Sequence, residues 1–131
     1  MLIPSTPSHP VPNTLFTTTR GSTSTTRGYL ASFHLEDDGL FTTEGVPEYW
    51  ETPTSGGKAN ALDILTKQDS EDAVWILLTD DDDLAVQECD GVKVLEWEGW
   101  DTGGVKYVTG WPSKEEGGEK MQGGSHAVWL D

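Results

Sequence analysis

The stretch GGKANAL at residues 56–62 is followed 67 residues later by GGSHAVW at residues 123–129. Each copy of this glycine-pair phrase begins with two glycines, continues through small and polar residues, and ends in an apolar run. A phrase repeated at the entry to successive strands is typical of proteins built from repeated sheet modules. The sequence therefore predicts a modular β-protein.

Strand-like segments surround the two copies, with turn signals between them. Residues 28–35 alternate with a period of two, and residues 73–79 form the nearly continuous apolar run expected of a strand buried on both faces. Weaker or shorter patterns predict further strands over residues 14–19, 40–50, 59–65, 92–97, 104–111 and 126–130. Residues 67–72 are too short and polar for an amphipathic helix. The predicted fold class is all-β.

The grouping of these strands predicts about two four-stranded antiparallel blades of a β-propeller plus a closing C-terminal strand. In a partial propeller over residues 13–131, residues 13–50 are an incomplete blade, residues 56–112 a full blade, and residues 125–131 the closing strand. Residues 1–12 hold four of the seven prolines, which lack a backbone donor. We expect this segment to be an extended, disordered arm.

Composition limits the partners and the compartment. The chain of 131 residues has 23 acidic and 8 basic side chains, a net charge of −15. That charge argues against binding nucleic acid or an anionic membrane surface. Its one cysteine, Cys89, cannot form an intrachain disulfide, and we expect a half-buried strand or loop thiol there. Without a signal-peptide pattern or a long apolar run, the sequence predicts a cytoplasmic protein.

Five motifs, in order along the chain, resemble the fungal 3-carboxy-cis,cis-muconate lactonizing enzymes, or carboxy-cis,cis-muconate cyclases. The motifs are LFTTTR at 15–20, GYLASF at 28–33, PTSGG at 53–57 with Asn60 and Ala61, LTDD at 78–81, and AVWLD at 127–131. That family belongs to the lactonase group of seven-bladed β-propellers. The resemblance spans residues 14–131 and implies a fragment of a seven-bladed ring, corresponding to the C-terminal part of such an enzyme.

The resemblance also implies an activity. Enzymes of this family cyclise an open-chain tricarboxylate into a lactone without metal or organic cofactor, in the breakdown of protocatechuate-type aromatics. Arginines in the propeller channel hold the carboxylates, and a histidine and a glutamate transfer protons. Arg20 matches a channel arginine, whereas the histidine and glutamate belong to blades outside this chain. His126 stands where the family has asparagine, so the resemblance does not make it the missing acid or base.

Three residues are candidates for substrate binding, each with a plainer alternative. The Arg20 guanidinium suits a carboxylate because it forms a bidentate, charge-assisted fork, but it could also be solvated in a Ser/Thr-rich loop. Asn60 could point into the channel or bond to neighbouring backbone groups. His126 lies on a predicted inner strand, where it could serve proton chemistry only if another group oriented it. Lys58, in the loop before the strand predicted at residues 59–65, is interpreted as a solvated base.

Other polar residues are assigned no chemistry. Residues 80–83 are four consecutive aspartates, which favour a solvated turn over a calcium loop because consecutive side chains diverge. His34 lies on the polar side of the alternating segment and is expected at the surface. His9, in the proline-rich segment, is expected to be inert.

Alternatives of different classes therefore stay open. One is the cyclase, with little or no activity expected from this chain alone. Another is a truncated, non-catalytic propeller fragment that associates with another chain or with itself through open blade edges. A third, a sugar-lactone hydrolase of the same propeller group, fits less well because the closing motifs are closer to the cyclases.

Overall fold

The chain forms seven β-strands in the part that a computed structural model describes, which is residues 1–56, 61–81, 91–111 and 126–130. In chain order they are β1 (Thr14–Thr19), β2 (Tyr29–His34), β3 (Glu48–Glu51), β4 (Leu62–Thr66), β5 (Val74–Thr79), β6 (Val92–Trp97) and β7 (Lys106–Trp111). No helix occurs among these described residues, and hence none that could cross a membrane. The predicted all-β class is confirmed.

The strands form two open antiparallel sheets. The first sheet has the order β1-β2-β3 and the second the order β4-β5-β6-β7. Consecutive antiparallel strands need only turns between them, which explains why turn signals rather than helices separate the strand patterns. The sequence predicted three strands followed by four, and the two sheets have these numbers. Their assignment to blades of a propeller ring stays a prediction.

A hydrophobic core lies between the two sheets. Phe16 and Leu30 come from the first sheet, and the second contributes Val74, Ile76, Leu78, Leu95 and Trp97. Phe16 and Trp97 meet in a T-shaped contact with ring centroids 5.3 Å apart, a geometry that stabilises aromatic pairs by about 0.5–1.5 kcal/mol beyond burial. The Trp97 indole N–H donates to Glu48 Oε2 at 2.8 Å. The polar edge of the buried indole is therefore satisfied by the opposite sheet.

The period-two pattern of β2 sets which face meets this core. Leu30 and Ser32 are buried, whereas Tyr29 is exposed. His34 ends the strand at the surface as predicted, but its ring also lies 5.3 Å from that of Trp100. The side of β2 that carries Ser32 and His34, which the sequence pattern marks as polar, is thus the side that faces the second sheet.

The N-terminal segment lies against the first sheet instead of extending away from it. Ile3 is 6% exposed and belongs to the core. The Ile3 N–H donates to the Thr14 carbonyl at 3.1 Å, and the Phe16 N–H donates to the Met1 carbonyl at 2.8 Å. These bonds use the outer edge of β1, so the first three residues of the expected disordered arm pair with this strand. The extended backbone of residues 1–3 allows these hydrogen bonds to β1.

The C-terminal segment differs from the expected closing strand. Residues 126–130 have no strand assignment. The Trp129 N–H donates to the Asp63 side chain, at 3.0 Å from Oδ2, so at this point the segment bonds to a carboxylate of β4. A strand requires backbone hydrogen bonds to a neighbouring strand, and the described bond from this segment goes to a side chain instead.

Candidate functional site

The connection between the two sheets runs from residue 52 to residue 61, and its described first part, residues 52–56, lies at the end where β1, β3 and β5 finish. We call this the Arg20 end. The Gly21 N–H donates to the Ser55 carbonyl at 2.8 Å, and the Gly28 N–H donates to the Thr52 hydroxyl at 2.9 Å. Arg20, directly before Gly21, is therefore held beside the chain that leads into β4. Its side chain is exposed.

The loop makes a sharp turn at the first glycine of the glycine-pair phrase. Gly56 has a φ of 83°, in the left-handed region that side chains other than glycine disfavour. Its N–H donates to the Thr54 hydroxyl at 3.0 Å. The first glycine is thus required by backbone conformation. Gly57 and Asn60 lie outside the described residues.

A buried ion pair lies under this loop. Lys93 Nζ is 3.8 Å from Asp80 Oδ2, and the two side chains are 2% and 4% exposed. The Thr54 hydroxyl donates to the same carboxylate oxygen. The Asp80 N–H donates to the Gly91 carbonyl at 2.8 Å, which fixes the backbone before β6. The pair and Thr54 connect the loop to two strands of the second sheet.

The burial of Asp80 corrects the expected solvated turn. Asp80 follows the last residue of the central strand β5 and is 3% exposed, while Asp81 is partly exposed. A carboxylate in such a place requires a partner, because an unpaired buried charge is costly. Asp82 and Asp83 lie outside the described residues, as does Cys89. Among the described residues, no three His, Cys, Asp or Glu side chains come together in a way that could hold a metal ion.

Lys93 and Thr54 were missed by the sequence analysis. A signal for Lys93 was present, since alternation along β6 places it on the same face as Leu95 and Trp97, both buried. Its register partner on β5 is Leu78, another core residue. Nothing local marks Thr54 as the partner of a residue 26 positions away.

Thr79 fixes the start of β4 close to this cluster. The Ala61 N–H donates to the Thr79 hydroxyl at 2.9 Å, and the Thr79 N–H donates to the Ala61 carbonyl at 2.9 Å. Asn60 immediately precedes Ala61 in the chain. The backbone of Ala61 is therefore fixed by Thr79, whereas its neighbour Asn60 lies outside the described residues.

The third predicted residue, His126, is exposed. It precedes Trp129 by three residues, so chain geometry keeps the two Cα atoms within roughly 11 Å of each other. Because Trp129 bonds to Asp63, near the start of β4, His126 is confined to the neighbourhood of that strand. Arg20 and His126 thus belong to segments that are bonded to Ser55 and Asp63, before and after the entry to β4, and no direct contact between the two is described.

Comparison with known proteins gives one partial relative. Muconate cycloisomerase 1 of Cutaneotrichosporon cutaneum is 32% identical over 71 residues, which is 54% of this chain and 19% of that protein. The match supports a distant relation to that enzyme. The chain spans less than a fifth of the relative's length along the matched stretch. No family model matches the chain, and no solved structure does.

Proposed function

We propose that the chain is a substrate-holding part of a lactonising enzyme of the muconate cyclase type, with 3-carboxy-cis,cis-muconate as the substrate. The observation that carries the proposal is the position of Arg20. The residue directly follows β1, beside the loop that is bonded through Gly21 and Ser55, and the same loop is bonded through Thr54 to the buried Asp80. A guanidinium on such a fixed backbone suits one carboxylate of the substrate.

The reaction would be an isomerisation. A carboxylate oxygen of the substrate adds to a carbon of the conjugated double bond, a C–O bond forms, and the π bond is consumed. A general acid delivers a proton to the adjacent carbon, so no electrons enter or leave. The role of Arg20 would be to hold a second carboxylate so that the reacting atoms stay in a productive geometry. Asn60 and His126 are proposed as further substrate contacts, and the general acid is not assigned to this chain.

A second candidate function is association with another chain without catalysis. Large apolar side chains are exposed on the outer face of the first sheet, among them Tyr49 at 62% and Phe41 at 60%. Phe33 lies against both rings, with centroids 6.4 and 5.5 Å away. An exposed apolar row on an open sheet is a feature of interaction surfaces. This candidate predicts concentration-dependent self-association that Tyr49→Lys reduces.

The proposed function is tested by the binding of 3-carboxy-cis,cis-muconate to the 131-residue chain, followed by isothermal titration calorimetry. Loss of a charge-assisted contact, worth about 1.5–3 kcal/mol, predicts that Arg20→Gln weakens binding roughly tenfold or more. Arg27→Gln is the matched control, because Arg27 pairs with Glu51 at 3.0 Å on the exposed surface. Equal losses in the two variants, or no saturable binding by the unchanged chain, would overturn the proposal.

Turnover is measured separately, by the loss of the diene absorbance of cis,cis-muconate and of its 3-carboxy derivative. We expect binding without appreciable turnover from this chain alone. Turnover at a usual enzymatic rate, about 1–10³ s⁻¹, would contradict the expectation that the acid–base pair lies outside the chain. Stronger binding of cis,cis-muconate than of the 3-carboxy derivative would assign the smaller dicarboxylate as the substrate.

A further inference from the structure

A cavity of about 420 Å³ lies at the end of the sheets opposite the Arg20 end. The N-terminal segment covers one side of it through Ile3, Pro4 and Thr6. Trp97 and Trp100, at the end of β6 and just beyond it, form another side. We call this space the N-terminal cavity. Its volume falls in the range of small-molecule sites.

Specific polar contacts hold the covering segment in place. The Ser8 N–H donates to Glu71 Oε2 at 3.2 Å, and His9 Nε2 lies 2.9 Å from Asp72 Oδ1. Backbone bonds between Thr6 and His9, at 2.8 and 3.1 Å, close a tight turn. The N-terminal cavity is thus bounded by a built structure that joins residues far apart in the chain. His9, expected to be inert, contributes to it.

The chemistry of the walls selects a class of ligand. The acidic residues Glu71 and Asp72 line the cavity, together with Glu98, whose carboxylate pairs with Lys106, and the described lining itself includes no lysine or arginine. Hydrogen bonds from Ser8 lower the pKa of Glu71, with smaller contributions from Thr6 and the nearby His9, so the Glu71 carboxylate stays anionic at neutral pH. Indole rings and the aliphatic Ile3 complete the lining. Anionic and aromatic groups together favour an organic cation with apolar substituents.

A metal ion suits these walls less well. The acidic side chains and His9 are spread along the cavity and do not converge, in the described part of the chain, into a set of three that could ligate a metal. A cation whose charge is spread over alkyl groups does not need such convergence. It gains from contact with aromatic faces and from the general field of the carboxylates.

We propose that the N-terminal cavity binds a compact organic ammonium ion, with Glu71 and Asp72 balancing its charge and the Trp100 indole packing against its alkyl groups. This site is independent of the proposed lactonisation, whose substrate is an anion bound at the opposite end of the sheets. It gives the protein a second ligand of opposite charge.

Choline is the probe, titrated into the 131-residue chain by calorimetry at low salt. The control ligand is 3,3-dimethyl-1-butanol, which has the shape of choline without its charge. We expect saturable binding of choline and at least about tenfold weaker binding of the alcohol, because the charge supplies the selectivity. Equal binding of the two ligands, or no saturable binding of choline, overturns the proposal.

A pair of matched variants locates the site. Glu71→Gln/Asp72→Asn removes two charges from the cavity wall, and we expect choline binding to weaken about tenfold or more. Asp37→Asn/Glu44→Gln removes two exposed charges from the connection between β2 and β3 and should change binding by less than about twofold. Similar losses in both double variants would show that choline responds only to the net charge, and would overturn the proposal.

An experiment on the unchanged chain makes the test independent of how the variants fold. Choline is titrated while the indole N–H signals of the six tryptophans are followed by NMR. The Trp100 indole, whose N–H donates to Thr14 Oγ1 at 3.0 Å, should shift with the same saturation curve as the calorimetric titration. A Trp100 signal that stays fixed while others move contradicts the site.

Discussion

Lys93 and Asp80 form an ion pair inside the protein, with Nζ and Oδ2 3.8 Å apart and both side chains almost fully buried. They come from neighbouring strands, since Thr79 at the end of β5 is paired with Val92 at the start of β6. The carboxylate also accepts the Thr54 hydroxyl from the loop that follows the first sheet. One buried charge pair therefore connects the second sheet to the loop beside Arg20.

Removing one member of this pair should be strongly destabilising. In Lys93→Met the Asp80 carboxylate loses its nearby ammonium while remaining buried, so we expect the free energy of unfolding to fall by about 3–5 kcal/mol. Urea unfolding followed by tryptophan fluorescence measures the change. Lys93→Met/Asp80→Asn should regain more than half of the loss, because no uncompensated charge is then left in the interior.

A surface pair serves as the control for this prediction. Lys106 Nζ lies 3.4 Å from Glu98 Oε2, and about half of each side chain is exposed. Lys106→Met should cost less than about 1 kcal/mol, as exposed pairs usually do. If Lys93→Met proves no more destabilising than Lys106→Met, the pair with Asp80 is not buried in solution.

The strands were predictable where their pattern reflects burial. The apolar run predicted at residues 73–79 became β5, Val74–Thr79, and the alternation over 28–35 became β2, Tyr29–His34. Residues 126–130 have an equally strand-like composition but form no strand. Local sequence records the preference of a segment for extended backbone, whereas the hydrogen-bond partners of that backbone depend on the rest of the fold.

The candidate site was less predictable, for a related reason. Arg20 was singled out because the resemblance matches it to a channel arginine and because a guanidinium can hold a carboxylate, and its role stays a prediction. Asp80 was interpreted as part of a solvated turn because four consecutive acids normally face water. Its burial depends on Lys93 and Thr54, which reach it from other parts of the chain. A buried polar group is explained by its partners, and partners distant in sequence leave no local pattern.

Replacing Ser32 should stabilise the protein, in contrast to replacing Lys93. Its side chain is buried in the core-facing side of β2, and its hydroxyl has no hydrogen-bond partner among the described residues. A buried hydroxyl without a partner costs about 1–3 kcal/mol. Ser32→Ala should therefore raise the free energy of unfolding, by about 1 kcal/mol after loss of packing is included. Ser24→Ala, in an exposed loop, is the control and should be neutral in urea unfolding.

The N-terminal segment should contribute to stability through Ile3. This side chain is buried in the core, whereas Leu2 is 45% exposed. Truncation of a buried isoleucine leaves a cavity, so Ile3→Ala should lower the free energy of unfolding by about 2 kcal/mol. Leu2→Ala should change it by about 0.5 kcal/mol or less. Equal effects of the two variants in urea unfolding would indicate that the segment is detached in solution.

The contact between Glu71 and the N-terminal segment should weaken at acidic pH. Hydrogen bonds from Ser8, and then from Thr6, lower the pKa of Glu71 below its ordinary value of 4.5, with a further contribution from the charge of His9. Because the folded-state pKa is depressed, the stabilisation is complete above pH 4.5 and is lost as pH falls through the folded-state pKa.

An NMR titration of the Glu71 side-chain carboxyl measures this directly. In the unchanged chain its midpoint should lie below 4.5, and Ser8→Ala should move it upward because the largest cause of the depression is removed. Ser5→Ala, in the same segment, should leave the midpoint in place. As pH falls through the midpoint, the protection of the Ser8 amide relative to its intrinsic exchange rate should decrease, since protonated Glu71 is a weaker acceptor for that N–H. A midpoint at or above 4.5 in the unchanged chain would show that Ser8 does not bond to Glu71 in solution.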